Sequence, residues 1–223
     1  MTEEIEIMLD YTTLAALEED GAFDTPMEDT LYLVDLGNVL LKLDFERFIA
    51  RAAERGTRSR DEIRERYIHG ESKSSFERGR CTPDEFIEEL REFLNWPKTE
   101  ASATKLRDIW CDIFDEFPGV RDALEQLKLM GRVWVLSDTD PLHIQWVSRN
   151  FSWALDVDQV LTSYDRGKLK SDPGVFEEIV KESALPAEQI LFIDDLQKNI
   201  DAANKASIST HLFTTWDNAW LEI

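Results

Sequence analysis

Five short apolar runs, separated by stretches of helical periodicity, dominate the chain from residue 31 onward. The runs are 31–35 (LYLVD), 132–137 (RVWVLS), 159–163 (QVLTS), 190–194 (ILFID) and 210–214 (THLFT). Between the later runs lie helical patterns at about 119–130, 141–150, 173–184 and 197–206. Near-continuous apolar strands that alternate with amphipathic helices are typical of a parallel sheet covered on both faces. The pattern predicts a doubly wound α/β fold.

One gap interrupts this alternation. About 96 residues separate the first predicted strand from the second, which is far more than one crossover helix requires. The intervening residues are charge-rich and helical, and Thr82, Pro83 and Glu85 form a typical helix start. We therefore predict an inserted helical cap at 44–115, a core formed by 30–43 and 116–223, and an acidic N-terminal extension at 1–29. Because the insertion follows the first strand, the cap should cover the carboxyl edge of the sheet.

The strongly acidic composition of the chain limits the kinds of molecule that it is expected to bind. The formal net charge is −21, and the first 30 residues contain ten acidic residues and no Lys or Arg. Such a surface disfavours nucleic acid and anionic membranes, because both are bound by clustered basic residues. No apolar run approaches the roughly 20 residues of a membrane helix. The acidic start does not fit a secretory signal, and Cys81 and Cys111 form no paired motif, so we expect a cytoplasmic protein.

The N-terminal extension has a loosely helical apolar pattern that ends at Asp20-Gly21. Two interpretations are open: a solvated arm or helix lying against the body, and a helix that docks onto a protein partner.

Polar residues stand at the ends of the predicted strands. The first strand ends in Asp35, the second in Ser137 within VLSDTD, and the fourth in Asp194 and Asp195 within FIDDLQKN. Lys170 follows the third strand within GKLKSDPGVF. Because parallel strands deliver their carboxyl ends to one edge, we expect these groups to converge.

This set of groups suits phosphoryl transfer. Paired carboxylates provide the hard oxygen ligands that Mg²⁺ prefers. A carboxylate beside that cation can act as nucleophile, while a lysine and a hydroxyl stabilise the charge of the transferring group.

The four motifs, in this order, resemble those of the haloacid dehalogenase superfamily across residues 31–214. The form LVDLGNVLL, the small helical cap and LSDTDPLH look most similar to the bacterial α-glucose-1-phosphate phosphatase group. The resemblance implies an Mg²⁺-dependent phosphatase that acts on a small phosphorylated metabolite, such as a sugar phosphate, through an aspartyl-phosphate.

The resemblance also implies roles for individual residues. Asp35 would be the nucleophile, with Ser137 and Lys170 as the other catalytic residues. The metal ligands would be Asp35, the carbonyl of Gly37, Asp194 and Asp195. The substrate-binding residues would be Gly37, Asn38, Ser137, Asp138, His143 and Lys170.

Three positions depart from the usual family motifs. Gly37 stands where many family phosphatases carry an acid that protonates the leaving group, a function worth about 10²–10⁴ in rate. Asp138 replaces the usual Asn, and Ser171 replaces the usual Pro. His143 could supply the missing acid, or it could lie on its helix without a chemical role.

Two other functions remain open. A dehalogenase of this family would also use Asp35, but it needs no metal, and the acidic pair argues against it. Alternatively, Gly37 and Asp138 could mark a catalytically degenerate protein that only binds ligands or partners.

Overall fold

The computed structural model describes residues 30–216. The acidic extension and its predicted docking helix lie outside the described residues. The chain forms the predicted α/β architecture, and its strands are β1 (Leu31–Val34), β2 (Leu41–Leu43), β3 (Phe114–Glu116), β4 (Arg132–Ser137), β5 (Gln159–Thr162), β6 (Ile190–Asp194) and β7 (Ser209–Leu212).

Five of these strands form one parallel sheet in the order β5-β4-β1-β6-β7. Strand β1 is central: Val34 lies in register with Val135 on one side and with Ile193 on the other. Leu31, Leu33 and Val34 are fully buried. Burial on both faces explains why the strand has no polar alternation in the sequence.

Helices account for most of the remaining described chain. They are α1 (Phe45–Ala53), α2 (Arg60–Tyr67), α3 (Glu71–Glu77), α4 (Pro83–Leu94), α5 (Glu100–Cys111), α6 (Val120–Met130), α7 (Pro141–Asn150), α8 (Ser163–Arg166), α9 (Val175–Ser183) and α10 (Gln197–Lys205). Short 3₁₀ turns occupy Ser152–Leu155 and Ala187–Gln189. None of these helices is long and apolar enough to cross a membrane.

Helices α1 to α5 occupy the predicted cap region. Thr82 caps α4 as predicted: its hydroxyl accepts from the Glu85 NH. The Glu85 carboxylate in turn accepts from the Thr82 NH, a bond that was not predicted. The rings of Phe76 and Phe86 stack at 4.2 Å, and Trp110 packs against Phe86. Buried aromatic residues therefore hold these helices to one another.

The cap helices and the sheet share one apolar core. Phe48 and Trp110 belong to the same buried cluster as Val34 and Val135 of the sheet. A second apolar cluster, which includes Phe176 and Ile179 of α9 and Ile200 of α10, covers the opposite face of the sheet. The division into cap and core at 44–115 remains a prediction; strand β3 runs across its second boundary and pairs with β2 of the predicted core.

Candidate active site

The carboxyl edge of the sheet brings the predicted polar residues together. Asp35 directly follows β1, and its backbone NH donates to the Ile193 carbonyl at 2.9 Å, which extends the ladder by one residue. Asp194 ends β6 beside it. Neighbouring parallel strands thus place the two carboxylates side by side.

Lys170 is the positive centre of the site. Its ammonium lies 2.5 Å from Oδ1 of Asp35 and 2.8 Å from Oδ2 of Asp194. The side chains of Lys170 and Asp194 are almost completely buried, and that of Asp35 is only 10% exposed. A buried lysine requires such partners, because an unpaired charge would be strongly destabilising.

Three carboxylates form a group of suitable geometry for a metal ion. Each of Asp35, Asp194 and Asp195 offers one oxygen, and these oxygens lie within 4.8 Å of one another. Three hard oxygen donors on one edge match the ligand preference of Mg²⁺. With one ammonium for three carboxylates, the site carries excess negative charge that a divalent cation would balance. The donor set therefore fits the cation that the sequence predicts.

The pKa values of these groups reflect the same charge excess. Burial raises the pKa of Asp35, the charges of Asp194 and Asp138 raise it further, and Lys170 opposes the shift. Burial also raises the pKa of Asp195. For Lys170, burial alone would lower the pKa, but the surrounding carboxylates outweigh it and raise the pKa.

Asn38 organises the loop after β1. Its backbone adopts a positive φ of 56°, a conformation that Asn tolerates better than most residues. The side-chain amide donates to Asp195 Oδ2 at 3.2 Å and accepts from the Leu43 NH at 3.0 Å. Gly37 in the same loop forms an isolated bridge with Leu41. Asn38 thus fixes the loop against the acidic pair.

Ser137 and Asp138 follow β4 at the same edge. Ser137 is buried at the end of the strand, in register with Thr162. Oδ1 of Asp138 accepts the backbone NH of Lys170 at 2.8 Å. The Asp at this position therefore has a structural explanation: it ties the loop after β4 to the loop that carries the lysine.

His143 lies in a buried protein contact. Its Nδ1 is 2.8 Å from Asp140 Oδ2, and its Nε2 is 2.9 Å from the Trp110 carbonyl oxygen. The ring also stacks on the Trp110 indole at 4.9 Å. Because both ring nitrogens already face protein acceptors, this geometry favours a link between α5 and α7 over the predicted contact with substrate.

Two supporting residues escaped the sequence analysis. Asn199 on α10 donates to both carboxylate oxygens of Asp194, at 3.0 and 3.1 Å. Asp140 caps α7 and also accepts from the Trp110 indole NH at 3.1 Å. An Asn five residues after a strand-terminal Asp was a usable signal for the first contact. The second joins residues 30 positions apart, and no local pattern predicts it.

Comparison with known proteins identifies the family. Residues 30–207 match the family of haloacid dehalogenase-like hydrolases. The chain belongs to this family. The match covers four of the five strands of the sheet and the helical insertion, and it confirms the predicted family, fold class and class of enzyme.

Two relatives are phosphatases. The chain is 24% identical over 183 residues to a D-ribitol-5-phosphate phosphatase of Bacteroides thetaiotaomicron, covering 79% of this chain and 87% of that protein. It is 27% identical over 148 residues to a sesquiterpene phosphatase of Aspergillus oryzae, covering 65% of this chain and 74% of that one.

Solved structures agree with the fold. A haloacid dehalogenase family enzyme of B. thetaiotaomicron, in complex with magnesium and inorganic phosphate, is 25% identical with a TM-score of 0.73, covering 85% of this chain and 96% of that one. A dehalogenase in an intermediate complex is 16% identical with a TM-score of 0.61, covering 87% and 88%, and is similar in fold alone.

Proposed function

We propose that this hydrolase is an Mg²⁺-dependent phosphatase of small phosphorylated metabolites, with Asp35 as its nucleophile. The observation that carries the proposal is the contact of Lys170 with both Asp35 and Asp194 beside a third carboxylate, Asp195. Three separate segments of the chain meet there. A purely structural ion pair would not need the additional half-exposed acid.

The reaction follows from the positions of the side chains. One carboxylate oxygen of Asp35 attacks phosphorus while the bond to the departing oxygen breaks, which leaves an aspartyl-phosphate and an alkoxide that takes a proton from solvent water to become the alcohol. Water then attacks phosphorus, returns the Asp35 carboxylate and yields inorganic phosphate. Lys170 holds Asp35 in place and neutralises phosphoryl oxygens as their charge redistributes, and Ser137 is the hydroxyl donor.

Asp35, Asp194, Asp195 and the carbonyl of Gly37 would hold Mg²⁺, which would neutralise the phosphoryl group and lower its repulsion from the carboxylates. Asn199 and the Leu196 NH bind Asp194 and keep its carboxylate oriented. This arrangement argues against the dehalogenase alternative, in which the acidic pair would have no metal to bind.

The polar side chains that line a cleft between cap and core support a hydrophilic substrate. A cleft of about 570 Å³ lies between α3 and the segment that carries Lys170. Its lining includes Glu71, Ser74 and Ser75 on the cap side and Lys168 on the core side, while Arg78 and Asp172, which also line it, pair with each other. Hydroxyl, carboxylate and ammonium groups bind the hydroxyls of a sugar or polyol and disfavour a terpene chain. We therefore propose a sugar or polyol phosphate, for example glucose 1-phosphate.

A substrate panel tests this proposal. Phosphate release would be measured from glucose 1-phosphate, ribitol 5-phosphate and farnesyl phosphate, with Mg²⁺ or with a chelator. We expect Mg²⁺-dependent release from the polyhydroxy substrates, no release by Asp35→Asn, and normal release by the exposed control Asp122→Asn. Release of chloride from a 2-haloacid would instead favour a dehalogenase. Binding of Mg²⁺ without turnover of any phosphate ester would favour a degenerate binding protein.

A further inference from the structure

One ion pair joins the cap to the segment that carries Lys170. Arg78, at the carboxyl end of α3, contacts both carboxylate oxygens of Asp172, and the Nη2–Oδ1 distance is 3.0 Å. The two side chains are 18% and 26% exposed. A planar guanidinium bound to both oxygens of a carboxylate fixes orientation as well as distance.

Asp172 also closes the turn that contains Lys170. Its Oδ2 accepts the Leu169 NH at 2.9 Å, and its own NH donates to the Leu169 carbonyl at 2.9 Å. Ser171 lies inside this turn and does not restrict φ as a proline would. The conformation of the turn therefore depends on the contacts of the Asp172 carboxylate.

The same turn positions the Lys170 side chain against Asp35, the proposed nucleophile. The backbone NH of Lys170 is held by Asp138 at 2.8 Å, and its ammonium reaches Asp35. A continuous series of contacts thus runs from Arg78 in the cap, through Asp172 and the turn, to the Lys170 ammonium. Each contact in the series is direct.

The position of Arg78 is itself set by close packing of the cap on the core. Gly79 has a φ of +65°, and a Cβ at this residue would lie 2.5 Å from the Tyr164 carbonyl oxygen. Only glycine permits this approach of the two backbones. Arg78 therefore reaches Asp172 when the cap segment lies against α8.

We propose that Arg78 is a positioning residue that couples the seating of the cap to the placement of Lys170. With the cap seated, Arg78 holds Asp172 and the turn presents Lys170 to Asp35. When the cap moves away, Asp172 loses its contact with Arg78 and the turn becomes more mobile. The Lys170 ammonium is then no longer held against Asp35. This inference rests on the proposed function of Lys170, and it makes turnover conditional on a closed cap.

Amide hydrogen exchange at Leu169 and Lys170 tests the inference without any substrate. In Arg78→Ala we expect exchange at these amides to be about tenfold faster, because the turn loses its anchor. Arg78→Lys should restore only part of the protection, since it keeps the charge without the two-oxygen contact. Asp172→Asn preserves an acceptor for Leu169 and provides a milder second variant. The matched control is Arg107→Ala, which removes the 2.6 Å pair between Arg107 and Asp84 inside the cap.

Kinetics distinguish positioning from a general loss of structure. We expect Arg78→Ala to lower kcat about tenfold and to change KM less than about twofold, with partial rescue by Arg78→Lys. Unchanged exchange in Arg78→Ala and in Asp172→Asn would overturn the inference, as would a kcat equal to that of the Arg107→Ala control. If no phosphate ester is hydrolysed, the proposed function fails, and the exchange rates still decide whether Arg78 orders the turn.

Discussion

The side chain of Leu43 occupies the space beside Gly37 that an added side chain would need. A Cβ at residue 37 would lie 2.7 Å from Leu43 Cδ1, well inside contact distance. Many family phosphatases carry an acid at this position. In this protein Leu43 of strand β2 fills the space, so an Asp at position 37 would add an acid and also displace the Leu43 side chain.

Gly37→Asp should therefore impair the protein. We expect a loss of at most about 1 kcal/mol in the free energy of unfolding, because the half-buried Leu43 side chain must rotate to admit the new side chain. Phosphate release should not increase. The double variant Gly37→Asp, Leu43→Ala removes the clash, and it should be faster than Gly37→Asp alone. Denaturant unfolding and phosphate release measure both effects. A stable and faster Gly37→Asp variant would contradict this account.

Asp138 should set the acid limb of the activity profile. Its charge contributes to the raised pKa of Asp35, so Asp138→Asn should lower that pKa and move the acid limb of kcat/KM to lower pH. The Asn side chain still accepts the Lys170 NH. Asp138→Ala removes the charge and the acceptor, and it should show the same shift together with a lower kcat. An acid limb that stays in place in both variants would count against this electrostatic role.

Magnesium should stabilise the protein more at pH 8 than at pH 5. The pKa values of Asp35 and Asp195 are raised, so the folded state without metal holds protons that the unfolded state has released. These groups therefore favour folding at low pH, and their contribution is lost as pH rises through the folded-state pKa values. Mg²⁺ binds the carboxylate forms and compensates for that loss. Thermal unfolding with and without Mg²⁺ measures the difference, and an equal shift in Tm at both pH values would contradict it.

His143 should stabilise the contact between α5 and α7. Removing it in His143→Phe takes away the side-chain contact of the buried Asp140 carboxylate with Nδ1, at a cost of about 1–3 kcal/mol. Adding Asp140→Asn removes the buried charge that lost this contact, so the double variant should be less destabilised than the sum of the single changes. The Asp140 pKa is lowered, and its contribution to stability should disappear as pH falls through that lowered value. Denaturant midpoints of the four proteins form the test.

The sheet was predictable because its strands are short, almost wholly apolar runs. Strands β2 and β3 were not predicted: three residues are too few to establish an alternating pattern, and the pairing joins segments about 70 residues apart. Helix α3 was also missed, since ESKSSFE contains a single large apolar residue. Its position depends on tertiary packing, which local periodicity does not encode.

The candidate site was predictable as far as strand ends determine it. Asp35, Lys170, Asp194 and Asp195 meet as the strand order requires. The contacts that orient them were less accessible to sequence reasoning. The roles of Asn38 and Asp138 as anchors arise from loops that meet only in the folded chain, and the engagement of His143 by Trp110 depends on how the cap docks.

The most direct test of the account asks whether Asp35 becomes phosphorylated. Excess enzyme would be mixed with glucose 1-phosphate, or with the best substrate of the panel, in the presence of Mg²⁺, quenched in acid within one turnover and digested for mass spectrometry. The account predicts a phosphoryl group on the peptide that contains Asp35, and none in Asp35→Asn. Phosphate release without that adduct, or an adduct on another residue, would contradict the proposed mechanism.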